Sequence, residues 1–481
     1  MTAFVCVHGH AYQPPREDPV TGEVPVQPGA EPFHDWNGRI SAECYAPLAA
    51  ARRLGEHGEE VSRTNLWSRV NFDLGPTLGV WFDRHRPDIA EAVRQGDSLG
   101  RGAMAHPWVH AILPLTPERD RATVQRWGNA DFRARFGREP EGVWFPETAV
   151  DSASLEAAAD AGLSWTVVAP HQVRARDQGA PPSAASPHYP VRIVLPSGRP
   201  FVLVPYDGEV SHAVAFGDLL RDGVALANRV TSAAEFALRS ARSGDTVDIP
   251  PLVIVSTDIE TFGHHHRFGE MALARAMDEW DAHGGLRRCV VADYLDEVGV
   301  HRDGWLVERT AWSCGHGVER WRSECGCRFE SGTSQSWRRP LRDVLDAVDD
   351  AARRIMEGEA GRDLVDPWAA RDDYGTVLAA SGTPSSEQVR ASFLASHAAS
   401  GADPQRVWAW MEAERLRLEA WSSCAWFFDT ADRIETRQTV HQATEAVRRL
   451  SVLGGVDLRE WLDAQWRDHG LGDEEVSRPS E

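Results

Sequence analysis

Short apolar runs alternate with helical patterns over the first three hundred residues of this 481-residue chain. Such alternation is typical of βα units arranged around parallel strands, and it predicts an α/β fold. The predicted strands are residues 3–8, 70–73, 142–145, 165–168, 202–205, 252–257 and 289–292, with helices at 117–136, 153–161 and 269–282. Because parallel strands of this kind present functional groups just beyond their C-terminal ends, the residues that follow each strand are the first candidates for a site.

From about Trp312 onward the pattern changes to helices alone. Helices are predicted at 340–357, 405–421 and 435–453, with Asp403 as an N-cap and Pro404 at the first helical position. We therefore expect an α/β domain at 1–305, an α-helical domain at 306–470 and a polar tail at 471–481. Two loops, at 11–37 and 171–190, exceed the usual length and are expected to be lids, binding loops or disordered inserts.

The charge of the chain restricts its partners. There are 51 basic and 72 acidic residues, a net charge of −21, which would repel nucleic acid phosphates and anionic membranes. All the basic residues are arginine, because the chain contains no lysine. Enzymes that depend on a Schiff-base lysine, a Walker lysine or a kinase lysine are thereby excluded. Neutral ligands such as sugars remain as candidate partners.

The expected location is the cytoplasm. The first residues carry no basic segment and only a short apolar run, so no signal peptide is predicted. No apolar stretch approaches the length that spans a membrane. Seven cysteines are too few for a disulfide scaffold in a chain of this length.

Polar and charged residues follow several of the predicted strands. They are His8, His10 and Gln13 after the first strand, His106 and His110 in the third unit, Trp144 and Glu147 in the fourth, then Asp207, and finally Asp258, Glu260 and His264. Each one alone has an ordinary structural explanation, such as a helix N-cap or a salt-bridge partner. Their convergence on several strand ends favours a functional site.

Two of these residues suit acid–base or nucleophilic chemistry. Glu147 and Asp258 each follow an apolar strand, which gives a carboxylate rigid support and a setting that tunes its pKa. Two carboxylates in one pocket can divide glycoside cleavage between a nucleophile or base and an acid that protonates the leaving oxygen. We expect their carboxyl groups to face one cleft, about 5–6 Å apart, as in enzymes that retain anomeric configuration.

Five segments resemble the motifs of glycoside hydrolase family 57, which contains α-amylases, 4-α-glucanotransferases and α-glucan branching enzymes. They are residues 8–14, 109–115, 143–149, 257–264 and 421–429. The resemblance implies an incomplete seven-stranded (β/α) barrel at 1–305 that is catalytic, followed by an α-helical C-terminal domain that completes the cleft. It also implies a retaining enzyme on α-1,4-linked glucan, by hydrolysis or glycosyl transfer, without metal or cofactor.

Site roles follow from the same resemblance. Glu147 corresponds to the nucleophile and Asp258 to the general acid/base. The substrate, an oligo- or polysaccharide, is expected to contact His8, His10, Gln13, His110, Trp144, Asp207, Glu260, His264, His316 and Trp426. The segments 312–317 and 325–327 resemble an uncharacterised domain that is attached to a subset of the family.

Cys314, His316, Cys325 and Cys327 are ligand types that zinc prefers, although their spacing matches no regular zinc signature. The alternative is a tight loop of Cys and Gly that shapes the cleft. We expect no metal in the cleft and hold these four as weak candidates for a structural ion.

Two other functions remain open from sequence. A metal-dependent deacetylase or mannosidase-like hydrolase could use His8, His10, His110 and Asp258 as ligands. A non-catalytic glycan-binding protein could carry the same residues as a relic site, although both carboxylates are present.

Overall fold

The computed structural model describes residues 2–55, 57–175, 183–184, 186–242 and 249–469. The proposed polar tail and part of the loop at 171–190 lie outside the described residues. Seven mutually parallel strands organise the first part of the chain. They are Ala3–Ala11 (β1), Asn71–Leu74 (β2), Ala103–Met104 (β3), Gly142–Val143 (β4), Trp165–Val168 (β5), Pro200–Pro205 (β6) and Leu252–Asp258 (β7).

The strands lie side by side in the order β7, β1, β2, β3, β4, β5, β6. Ladders join β7 to β1, β1 to β2 and β2 to β3, and further ladders join β4 to β5 and β5 to β6. A single parallel bridge between Ala105 and Val143 joins β3 to β4. At the other edge, the Asp207 N–H that follows β6 donates to the Ile254 carbonyl of β7 at 2.9 Å. All seven C-terminal ends therefore point to one side of the molecule.

Helices surround these strands, as the alternating pattern predicted. Those in the first part of the chain are Trp36–Ile40, Ala46–Ala49, Pro76–His85, Pro87–Gly100, Glu118–Phe136, Ser152–Asp160, Gly208–Phe216, Gly223–Arg242, Gly269–Ala282 and Val291–Glu297, with a π-helical turn at Ser41–Tyr45. Besides these seven strands, Leu286–Arg288 also pairs with β1 in parallel. The other described strands are Ala51–Leu54, Glu60–Thr64, Val173–Ala175, Ser183–Ala184, Val191–Val194 and Arg302–Leu306. The result is an α/β fold.

One predicted strand was wrong. Residues 289–292 do not form a strand; Leu286–Arg288 pairs with β1, and the helix Val291–Glu297 begins three residues later. The Val291 N–H donates to Asn71 Oδ1 at 3.3 Å, and Val291, Ala292 and Tyr294 bury one face of that helix. An apolar run of four residues has no periodicity that separates a buried strand from a helix turn.

The last part of the described chain is helical. Its helices are Arg338–Glu359, Pro367–Ala379, Ser386–His397, Pro404–Glu419, Cys424–Phe427, Ile434–Gly454 and Arg459–Asp468. The predicted N-cap is confirmed, since the Asp403 side chain accepts from the Gln405 N–H at 2.9 Å and Pro404 opens the helix. None of the described helices is long and apolar enough to cross a membrane.

Buried ion pairs attach the helical part to the α/β part. Asp120, on the helix Glu118–Phe136, accepts from Arg371 at 2.5 Å and from Arg417 at 2.9 Å. Arg371 is fully buried, and Trp127 donates its indole N–H to the Arg371 carbonyl at 2.8 Å. Gly375 permits this contact, because a Cβ there would lie 2.6 Å from the Trp127 ring. The two parts therefore share a continuous interior.

Candidate active site

A cavity of about 980 Å³ opens at the C-terminal ends of the parallel strands. Seven of the residues predicted for the site line it: His10, Gln13, His110, Glu147, Asp258, Glu260 and His264. Both predicted catalytic carboxylates are in this set, and they come from different strands, with Glu147 after β4 and Asp258 at the end of β7. The helical part contributes lining residues too, including Phe427 and Phe428.

Glu147 has an unusual backbone conformation, and two side-chain donors hold its carboxylate. Its φ and ψ are 58° and 21°, and the following Thr148 also has a positive φ, of 47°. Non-glycine residues seldom adopt this left-handed region, and such strain concentrates at functional sites. The Ser313 hydroxyl donates to Glu147 Oε2 at 2.6 Å, and the Trp312 indole N–H donates to the same oxygen at 3.0 Å. One carboxylate oxygen is thereby fixed in place.

The electrostatic setting of Glu147 contains opposing contributions. Burial raises the pKa of its carboxyl, the Ser313 and Trp312 hydrogen bonds lower it, and the charge of Asp258 raises it again, with a net upward shift. Asp258 is half-buried, whereas only 8% of Glu147 is exposed. Glu147 is therefore the more enclosed carboxylate and Asp258 the more open one. The two lie close enough for the charge of Asp258 to act on Glu147.

Glu260 is the third carboxylate of the cavity. Burial raises its pKa to about 7, and the charge of Asp258 adds to the rise. Tyr45 donates its hydroxyl to Glu260 Oε1, and Gln13 Nε2 donates to the same oxygen at 3.3 Å. Arg16 in turn donates to Gln13 Oε1 at 2.7 Å, so the loop at 11–37 is connected to β7 through side chains.

His10 lies at the centre of a buried polar chain. Its Nδ1 is 2.8 Å from Asp73 Oδ2 and its Nε2 is 3.1 Å from His110 Nε2. His110 Nδ1 then donates to the Ser423 hydroxyl at 2.6 Å. Burial lowers the pKa of His10, but the charge and hydrogen bond of Asp73 outweigh it and raise that pKa to about 9. Burial lowers the pKa of His110, so the positive charge resides on His10.

Three ring nitrogens, from His10, His106 and His110, lie within 4.8 Å of one another. This arrangement resembles a metal site in composition, yet His10 already uses both nitrogens for hydrogen bonds. Burial also lowers the pKa of His106 to about 4, so that His106 is neutral. A cationic His10 that donates on both sides accounts for His10 and His110, whereas His106 Nε2 is buried without a hydrogen-bond partner among the described residues.

His8 and Trp144 lie beneath the cavity and do not line it. Both are fully buried, and their rings stack at 4.5 Å. Asn71 donates to His8 Nδ1 at 2.8 Å, and His8 Nε2 is 3.3 Å from Asp73 Oδ1. Trp144 also packs against His10 and against the edge of Trp312. His8 and Trp144 were predicted to contact substrate, but in the structure they support the residues that reach the cavity.

Asp207 also differs from its expected role. Its side chain caps the helix Gly208–Phe216 by accepting from the Val210 N–H at 3.0 Å, and His188 Nε2 is 3.1 Å from its other oxygen. Both carboxylate oxygens are occupied, and only 7% of the residue is exposed. The neighbouring Tyr206 lines the cavity instead.

Trp426 and His316, the two site residues predicted on the helical part, do not line the cavity either. Trp426 is 1% exposed, stacks on Trp421 and donates its indole N–H to the Arg338 carbonyl at 3.1 Å. His316 is exposed and lies 3.5 Å from Cys327 Sγ. The apolar surface that faces the cavity comes from the next residues, Phe427 and Phe428.

Four residues that matter to this geometry were not among the predicted site residues: Asp73, Tyr45, Trp312 and Ser313. Asp73 lies at the end of an apolar strand, so the rule that identified Glu147 and Asp258 could have found it. Trp312 and Ser313 lie in a loop, and Tyr45 in a π-helical turn, where hydrophobic periodicity gives no signal.

Comparison with known families identifies the chain. A family model described as glycosyl hydrolase family 57 matches residues 30–302, more than half of the sequence. The chain belongs to glycosyl hydrolase family 57, and it is accordingly a carbohydrate-active enzyme. A second model, described as a domain of unknown function (DUF3536), matches residues 334–465 and so covers the helical part. A comparison with curated protein sequences finds no match.

Solved structures share the fold. An exo-type maltose-forming amylase from Pyrococcus sp. ST04 has a TM-score of 0.77 at 15% identity, with 97% of this chain and 83% of the amylase covered. A family 57 branching enzyme from Thermococcus kodakaraensis has a TM-score of 0.63 at 14% identity, covering 100% of this chain and 97% of that enzyme. A 4-α-glucanotransferase from Thermococcus litoralis has a TM-score of 0.56 at 14% identity, covering 94% and 60%. Identities this low establish the shared architecture alone.

Proposed function

We propose that this enzyme cleaves α-1,4-linked glucan with retention of anomeric configuration, through a covalent glycosyl-enzyme on Glu147. The observation that carries the proposal is the position of Glu147 and Asp258, which line one cavity from the ends of two different strands. The activities named for the similar solved structures, a maltose-forming amylase, a glucanotransferase and a branching enzyme, support an α-glucan as the substrate class.

In the first step, a carboxylate oxygen of Glu147 attacks the anomeric carbon while Asp258 donates a proton to the leaving glycosidic oxygen. Glu147 must be ionised for this step, and the hydrogen bonds from Ser313 and Trp312 favour its charged form. Because both donors hold Oε2, the other oxygen, Oε1, is the one we assign to the attack.

In the second step, Asp258 takes a proton from a water or a sugar hydroxyl, which then attacks the glycosyl ester and releases Glu147. Water gives hydrolysis and a sugar hydroxyl gives transfer. Phe427, Phe428 and Trp312 supply apolar surface at the cavity, which favours stacking of sugar faces over free entry of water. His10, Gln13, His110, Glu260 and His264 are proposed to bind or position sugar hydroxyls.

We further propose that residues 1–305 form an incomplete seven-stranded (β/α) barrel and that 306–470 complete its cleft. The order of the seven parallel strands and the single hydrogen bond between the ends of β6 and β7 support an almost closed barrel. Trp312, Ser313 and Phe427, all beyond residue 305, line the cavity and support the role of the second domain. A cytoplasmic location is supported by seven free cysteines.

A metal-dependent deacetylase is the less favoured alternative. It would need His8, His10, His110 and Asp258 as ligands. His8 does not line the cavity, and both nitrogens of His10 already contact Asp73 and His110.

The test is incubation of the purified enzyme with maltooligosaccharides and amylose, followed by chromatography of the products. The initial anomer is read by proton NMR before mutarotation. We expect α-anomeric products or longer transfer products, and no reaction with acetylated glycans. Release of acetate without glucan cleavage would favour the deacetylase, and an initial β-anomer would overturn the retaining mechanism.

A further inference from the structure

Four side chains outside the proposed catalytic pair converge at the start of the helical part. The ligand atoms of Cys314, His316, Cys325 and Cys327 all lie within 4.8 Å of one another. Cys314 Sγ and Cys327 Sγ are 4.0 Å apart, and His316 Nδ1 is 3.5 Å from Cys327 Sγ. The sulfur–sulfur distance is about twice the roughly 2.05 Å of a disulfide.

These distances fit a tetrahedral ion. With Zn–S near 2.3 Å and Zn–N near 2.05 Å, tetrahedral angles place sulfurs about 3.8 Å apart and sulfur and nitrogen about 3.6 Å apart. Gly326, between two of the cysteines, has φ 84°, a conformation that lets the chain reverse and brings both sulfurs to the same side. Three thiols and one imidazole are the donor set that zinc prefers.

A buried positive charge next to these residues also favours a negatively charged cluster. Arg338 is fully buried, and it donates to Cys325 Sγ at 3.6 Å and to the carbonyls of Phe427 and Phe428. Among the described residues, no carboxylate forms a direct ion pair with Arg338, although the charge of Asp429 acts on it favourably. Zinc with three thiolates and a neutral imidazole carries a net charge of −1. Such a cluster would place a further negative charge beside the buried guanidinium of Arg338, which protonated thiols would not supply.

We infer that Cys314, His316, Cys325 and Cys327 bind one structural Zn²⁺, which anchors the loop that holds Glu147. Binding forms three Zn–S bonds and one Zn–N bond, and the three thiol protons pass to the solvent. All four positions are filled by protein, as in structural and not catalytic zinc sites. The site is separate from the cavity, because none of its four residues lines it.

The loop links this site to the proposed nucleophile. Cys314 directly follows Ser313, whose hydroxyl donates to Glu147. Arg320 donates to the Ser313 carbonyl at 3.2 Å and to the Phe427 carbonyl at 2.7 Å. An ion at Cys314 would therefore restrict Ser313, and through Arg320 it would restrict an aromatic residue of the cavity wall.

The test uses the full-length chain produced with zinc in the medium, dialysed exhaustively and measured by elemental analysis. We expect about one zinc per chain, and cobalt substitution should produce thiolate-to-metal absorption and tetrahedral d–d bands. Cys327→Ser should abolish stoichiometric zinc. Because His316 is exposed, His316→Ala should fold and lose more affinity than the roughly 10–100-fold that outer-shell changes cause. Cys289→Ser, outside the cluster, is the matched control and should keep its zinc.

The metal measurement does not depend on the proposed catalysis, since Glu147→Gln should bind zinc normally. Removal of zinc by a chelator should lower the melting temperature of the wild type but leave that of Cys327→Ser unchanged. The inference is overturned if the wild type binds neither zinc nor cobalt at micromolar concentration, or if Cys327→Ser and His316→Ala retain one zinc. A Cys314–Cys327 disulfide in the freshly isolated protein, detected as a mass lower by two hydrogens, would also contradict the zinc site.

Discussion

The cavity has two walls of different construction. One wall is made by strand ends, which carry Glu147, Asp258 and His10 on a regular hydrogen-bonded framework. The other is made by loop residues of the helical part, among them Trp312, Ser313, Phe427 and Phe428, which segments 312–330 and 421–435 hold in place. There, side chains bond to main chain: Asp429 accepts from the Phe329 and Glu330 N–H groups at 2.8 Å.

The reactive groups and the groups that tune their pKa or contact the substrate therefore lie on different walls. The strand wall supplies carboxylates at fixed positions, whereas the loop wall supplies Ser313 and Trp312, which bond to Glu147, and Phe427, which faces the cavity. We therefore expect changes on the strand wall to remove turnover. Changes on the loop wall should alter pH dependence and substrate affinity.

The largest expected effect is at Glu147. Glu147→Gln should reduce turnover by about 10⁴-fold or more, because the neutral amide that replaces the carboxylate is a poor nucleophile. Asp258→Asn should lose most activity on glucans but recover on substrates whose leaving groups need no proton. Steady-state kinetics on maltooligosaccharides and on an aryl glycoside would measure both.

The matched control is Glu139→Gln, which changes an exposed glutamate paired with Arg133 and should keep full activity. Near-normal cleavage by the Glu147 variant would show that Glu147 is not the nucleophile and that the strand wall does not supply the reactive group.

Sequence reasoning anticipated the strand wall much better than the loop wall. Glu147, Asp258 and Glu260 were found because they follow apolar strands, and strand ends of parallel sheets converge. Trp426 was predicted from the resemblance of residues 421–429 to a family motif, yet it packs inside the helical part while Phe427 reaches the cavity. Which of two adjacent aromatics faces a cleft depends on the local chain path, here a four-residue helix held by Arg338 and Arg320. Neither periodicity nor composition encodes that path.

The second prediction concerns Asp73, a strand-wall residue without direct access to substrate. Asp73→Asn should break a buried ion pair with His10, which costs about 3–5 kcal/mol of stability. We also expect turnover to fall by roughly 100-fold, because His10 and His110 lose their alignment. Asp218→Asn, an exposed aspartate paired with Arg221, is the control and should change neither quantity.

The pH dependence of that effect has a definite sign. The pKa of His10 is raised to about 9, so its contribution is complete below its unfolded value of about 6.5 and disappears as pH rises through 9. The pKa of Asp73 is lowered, chiefly by His10 against the effect of burial, so its contribution is lost at acid pH, below about 4. The melting-temperature difference between wild type and Asp73→Asn should therefore be largest between these limits. A difference independent of pH would contradict the charged pair.

A smaller effect is expected at Ser313, on the loop wall. Ser313→Ala removes one hydrogen bond to a carboxylate, worth about 1.5–3 kcal/mol, and should lower kcat/KM by about 10–100-fold. It should also raise the pKa of Glu147 further, so the acid limb of the pH–rate profile moves upward. Ser323→Ala, which loses a hydroxyl bonded to Glu319 in the same loop, is the control. An unchanged acid limb would show that Ser313 does not tune the nucleophile.

The smallest effect on chemistry, and the sharpest test of the loop wall, comes from two adjacent aromatics. Phe427→Ala should raise KM for maltooligosaccharides several-fold with little change in kcat, because one stacking surface worth about 1 kcal/mol is lost. Trp426→Ala should lower the free energy of unfolding by about 3–5 kcal/mol and leave KM nearly unchanged, since its ring is buried against Trp421. Thermal denaturation and kinetics on the same two proteins separate the roles. If instead Trp426→Ala raised KM without loss of stability, the aromatic surface would have been assigned to the wrong residue.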